Sequence, residues 1–113
     1  MTDIAPFTFV DHDGGETSLL LTEFEPSLEL FEEVGSPGPG YGWETVARYV
    51  VENVATELED RVEFDSEHSM FCAFSSDREA LEVLGARLAR LFHDHKALAS
   101  IIDAIGPRGF GVI

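Results

Sequence analysis

The chain has 113 residues, 44% of them hydrophobic, and a mean hydropathy of +0.01, a balance that excludes intrinsic disorder and provides for one core. No apolar run approaches the ~20 residues that span a bilayer, and the start lacks the basic and apolar regions of a signal peptide, so a cytoplasmic location is expected. Cys72 stands alone in the apolar run Met70-Phe71-Cys72-Ala73-Phe74, which excludes an internal disulfide and reads as a buried small hydrophobe in a reducing compartment. The formal net charge is −15 and it is unevenly spread. Residues 1–67 carry 17 Asp/Glu against 2 Arg, whereas residues 68–113 carry 5 acids and 5 bases. Such a field disfavours nucleic acid and anionic membranes, which require Lys/Arg patches, and favours a cationic partner. Solubility of a small protein is the competing explanation.

In chain order, Pro6 to Val10 alternates around Phe7 and Phe9 as a strand. Asp11 to Glu16 is a turn, and Thr17 to Thr22 returns as the second strand of a hairpin. Leu28 to Phe31 reads as a third strand, with Leu28 and Leu30 on one face and Glu29 on the other. The tract Gly35-Ser36-Pro37-Gly38-Pro39-Gly40 then predicts a shaped loop that delivers Tyr41-Gly42-Trp43 to the first turn of an amphipathic helix. The inner face of that helix is Trp43, Val46, Ala47, Val50, Val51, Val54, Ala55 and Leu58, with Glu44 at the positive end of its dipole. Trp43 is in register with this core face, whereas Tyr41 lies outside it. Val62 and Phe64 begin a second hairpin whose partner strand is Met70 to Ser75.

Ser76-Asp77-Arg78-Glu79 reads as a capping box with Ser76 at the N-cap, opening a helix with Leu81, Leu84, Leu88, Leu91 and Phe92 inside and Val83 outside. Asp94 caps a last helix with Leu98, Ile101, Ile102 and Ile105 inside, and Gly106-Pro107 stops it. The apolar tail Gly109 to Ile113 is expected to dock. With no linker or repeat, residues 1–113 are expected to form a single α+β domain. Its order is βββ-α-ββ-αα, a mostly antiparallel sheet of about five strands with helices packed on one face.

Chemistry is hard to place in this chain. Asp11-His12-Asp13-Gly14-Gly15-Glu16 lacks the spacing of a calcium loop and is a hairpin turn. His93 and His95 point apart on a helix, and no zinc-binding pattern is present. Ser69, Ser75 and Ser76 do not form a nucleophile elbow, and Gly38, Gly40 and Gly42 lack a dinucleotide fingerprint. No catalytic residue, metal or cofactor is therefore expected.

Three segments resemble the immunity protein 51 family of bacterial polymorphic-toxin systems: Gly40-Tyr41-Gly42-Trp43, then Val62-Glu63-Phe64-Asp65-Ser66-Glu67 running into Ser69 to Ser75, then Ser76-Asp77-Arg78-Glu79-Ala80-Leu81. The resemblance extends from the Phe7-Thr8-Phe9 strand to the second helix and is densest over residues 40–81. It implies a non-enzymatic antidote that binds and neutralises a cognate toxin domain. Combined with the charge, it predicts a toxin with a basic surface, and no nucleic-acid or membrane partner. The expected contact surface is the outer face of the first strands and their connections (Glu23, Glu25, Glu29), the approach to the loop (Glu32, Glu33), and Tyr41 as an anchor. The alternative is an acidic, salt-adapted small oligomeric or housekeeping interaction module with no toxin partner. Homo-oligomer formation is left open.

Overall fold

The computed structural model describes residues 4–25 and 27–110. They form an α+β domain in which a four-stranded antiparallel sheet of order β1-β2-β4-β3 carries its helices on one face. Strand β1 (Thr8–Asp11) and β2 (Thr17–Leu21) make the expected hairpin, with Phe9 opposite Leu19. Strand β4 (Phe71–Ser75) lies between β2 and the two-residue β3 (Glu63–Phe64), with Leu19 opposite Ala73. Alternation sends Leu19, Leu21, Phe71 and Ala73 to the helix side, where all four are fully buried.

The helices supply the second layer. Helix α1 (Leu28–Val34) precedes α2 (Pro39–Asn53), a 3-10 turn (Thr56–Leu58) follows α2, and α3 (Arg78–His93) and α4 (His95–Gly109) complete the chain. Helices α2 and α3 lie on the sheet, and α4 packs against α1, α2 and α3. Trp43 is fully buried at the centre, edge-on to Phe7 and Phe31 and stacked on Phe92 at 5.9 Å. Its indole N–H donates to Ser27 Oγ, so the polar atom of the core's largest side chain is satisfied. Two arginines close the flanks of the core, Arg48 over the Phe64 ring and Arg78 over the Phe9 ring, each 4.8 Å from the centroid.

Several local expectations are corrected. Leu28 to Phe31 is the start of a helix, so the sheet has four strands and the order is ββ-αα-ββ-αα. Phe31 is buried and Gly35 ends α1 in the left-handed conformation (φ 79°), its N–H bonding Glu32 C=O while the Ser36 N–H bonds Phe31 C=O. The Gly/Pro loop is confined to residues 35–38. Pro39 occupies the first turn of α2, where its missing N–H costs nothing, and Gly40 and Gly42 are helical and buried.

A Cβ on Gly40 would sit 1.9 Å from Glu67 C=O, and one on Gly42 would sit 2.7 Å from the Phe31 ring. These glycines let α2 approach the β3–β4 turn and α1. The early start leaves Glu44 outside the first turn, where it pairs with Arg48 and accepts the Ser66 N–H. Helix α2 ends at Asn53, so Val54 is exposed although Ala55 and Leu58 are buried. The N-cap of α3 is Asp77, not Ser76, its carboxylate accepting from the Ala80 N–H. Asp94 caps α4 as expected, Gly106 breaks its helical path, and Phe110 docks against Phe31. Residues 111–113 of the expected docking tail lie outside the described residues.

Candidate functional site

The acids singled out by charge fall on one surface, but that surface is not a sheet face. Glu23 and Glu25 lie on the connection from β2 to α1, and Glu29, Glu32 and Glu33 on α1 itself; all five are exposed. At about 100° per residue, Glu29, Glu32 and Glu33 share the outward face of α1. Phe31 points inward, Leu28 lies on one flank, and Leu30 and Val34 lie on the other. The helix is therefore an acidic ridge held by the buried Phe31, with Leu28, Leu30 and Val34 packed partly against the core.

An open cleft of about 560 Å³ adjoins the Leu28 flank, between the segment before β1, the β2–α1 connection and the end of α3. Phe24, Leu28 and Phe92 contribute its apolar floor, and Glu23 and Glu25 stand at its rim. His93 also lines this cleft and hydrogen-bonds Ala5 C=O at 2.7 Å. A second cleft, of about 410 Å³, separates the other flank from α4 and is lined by Leu30, Val34, Ile102 and Pro107 with Glu33 and Asp103. Tyr41 is exposed on the first turn of α2 and lines neither cleft.

Among the described residues the ion pairs are few and leave most carboxylates, on this surface and elsewhere, without a basic partner. Arg48 pairs with Glu44, Arg61 with Asp77, and Arg78 with Asp11 and Glu82. Among the described residues no ion pair reaches Glu23, Glu25, Glu29, Glu32 or Glu33. Their negative field is left uncompensated. A polar cleft of about 640 Å³ beside β3 is also rich in carboxylates, yet it contains Arg48 and Arg61, and Arg61 is hydrogen-bonded to Asp77. That hydrogen bond, with the Ala80 N–H, holds the Asp77 carboxyl below its ordinary range and raises the Arg61 guanidinium.

Burial pushes the Cys72 thiol up, away from the reactive thiolate. Among the described residues no group of three His, Cys, Asp or Glu side chains is arranged to hold a metal ion. None of their helices is long and apolar enough to cross a membrane.

The charge count pointed to the five glutamates of the expected contact surface. It did not find the clefts, because their walls come from residues as distant in sequence as Ala5, Leu28 and Phe92. The apolar character of Phe24 and Leu28 beside Glu23 and Glu25 was the available signal. No curated protein and no solved structure matches the chain. The family model described as Immunity protein 51 matches residues 7–107, from just before β1 into the last helix, and the chain belongs to that family.

Proposed function

We propose that this chain is a cytoplasmic immunity protein that binds a cognate toxin domain and neutralises it by occluding its active or substrate-binding surface. It performs no chemistry and needs no cofactor. The observation that carries this reading is the set of five unpaired glutamates on and beside α1 in a member of the Immunity protein 51 family. Uncompensated carboxylates on a fixed ridge attract a basic surface over the range of the Debye length, ~8 Å at physiological salt, and raise the rate of productive encounter. Once the partner docks, the bulk of the domain excludes the toxin's substrate. Glu23, Glu25, Glu29, Glu32 and Glu33 form the contact surface in this reading, and Tyr41 is a peripheral anchor.

Co-expression with the toxin domain encoded beside its gene tests the proposal. Growth should be restored, and the purified chain should abolish toxin activity at about one equivalent. Growth arrest with both proteins soluble and at comparable levels would overturn it.

A further inference from the structure

We propose that the two clefts flanking α1 are anchor pockets, and that the partner is a basic protein surface which straddles the ridge and places one aliphatic or aromatic side chain in each cleft. This deepens the toxin-binding reading and rests on it. Both clefts, at about 560 and 410 Å³, fall within the ~300–1,000 Å³ of pockets that take organic groups. Their floors are apolar: Phe24 and Phe92 retain 8% and 9% exposure in the first, and Ile102 retains 4% in the second. Their rims carry Glu23 and Glu25 in the first and Glu33 and Asp103 in the second, with Glu29 and Glu32 on the ridge between them.

Apolar floors ringed by unpaired carboxylates match side chains such as Leu, Ile, Met or Phe that are themselves flanked by Lys or Arg. The anchor is desolvated at the centre and the charge pairs close the rim. The sign of the rim selects the occupant. A nucleic acid or a second copy of this chain would bring negative charge against negative charge, whereas a basic protein surface complements it.

The first cleft has a built-in reporter. Phe92 in its floor stacks on Trp43, the chain's single tryptophan, whose indole N–H bonds Ser27 at the entry to α1. Thr22 lines the first cleft and Ala99 the second, so Thr22→Phe with Ala99→Phe fills both clefts without deleting a core side chain.

The probe is a catalytically inactivated form of the toxin domain encoded beside the gene. The double variant should release it at least tenfold faster than the native chain, with the on-rate and its salt dependence unchanged because the ridge acids remain. In the native chain, binding should shift the Trp43 indole N–H resonance. Toxin binding with an unchanged release rate in the double variant, or with an unmoved Trp43 signal in the native chain, would overturn the anchor pockets and leave the immunity role standing. No toxin binding by the native chain would remove both. The Trp43 measurement needs no variant and decides the first cleft even if the double variant fails to fold.

Discussion

Helices α1 and α2 are neighbours separated only by residues 35–38, and they illustrate opposite uses of sequence. Helix α2 buries Gly40, Gly42, Trp43, Val46, Ala47, Val50 and Val51 out of fifteen residues, whereas α1 buries only Phe31 out of seven. The glycine-dense entry to α2 is the most conspicuous tract in the chain, and it is a packing device. Its glycines let a helix press against backbone at Glu67 and Met70 and against the Phe31 ring. The inconspicuous acids of α1, like most carboxylates of the described residues, have no ion-pair partner, and here they share one outward helix face. A segment's rarity in composition reports backbone constraint; its unsatisfied charge reports what it can still bind.

The largest effect should come from α2. Trp43→Ala removes a fully buried side chain in contact with Phe7, Phe31 and Phe92 and should cost about 3–5 kcal/mol, measured by denaturant unfolding. Toxin binding should weaken only in proportion to the unfolded fraction. Next, Gly40→Ala would drive a Cβ into Glu67 C=O and should destabilise by about 1–3 kcal/mol, although alanine is the better helix former. A neutral or stabilising result would mean that the turn at residues 65–69 yields, and that the contrast between the two helices is softer than drawn.

A smaller effect comes from the cap of α3. Because the Asp77 carboxyl is held below its ordinary range by Arg61 and the Ala80 N–H, its contribution is present above the unfolded-state pKa. It is lost as pH falls through the lower folded value. Asp77→Asn should therefore lower the melting temperature at pH 7, and the gap to the native chain should close on acidification. A gap that is constant with pH would remove the ion pair from the explanation.

The smallest stability effect belongs to the ridge. Replacing Glu29, Glu32 and Glu33 together with Gln should change stability by no more than about 0.5 kcal/mol, because all three are exposed and unpaired. Relief of mutual repulsion would move it upward.

Much of this architecture was legible in the sequence, for reasons that also explain the failures. The β1–β2 hairpin, the inner faces of α3 and α4 and the Asp94 cap follow from long, clean periodicity or a strong cap residue. Residues 28–31 are too short for periodicity to decide. Leu28 and Leu30 satisfy a strand, and Leu28 and Phe31 satisfy a helix equally well; the deciding signal, Gly35 as a helix stop, was absorbed into the loop beyond it. The burial of Gly40 and Gly42 depends on what lies opposite them in space, which no local rule contains. Val54 fits the stripe of α2 yet is exposed, because the helix ends one residue before it. At the candidate site the charges were readable and their support was not. Glu29, expected on a strand, and Glu32 and Glu33, expected on the approach to the loop, lie on a helix, while Glu23 and Glu25 lie on the connection before it; the clefts beside them are assembled by tertiary contact.

The central claim is that the acidity of α1 serves recognition. Stopped-flow association of the native chain and the Glu29→Gln, Glu32→Gln, Glu33→Gln variant with the adjacent toxin domain, across a salt series, tests it most directly. The native on-rate should fall steeply as ionic strength rises, and the variant should be slower at low salt and converge on the native value at high salt. A salt-independent on-rate that is unchanged by the triple substitution would contradict the claim and leave solubility as the purpose of the charge.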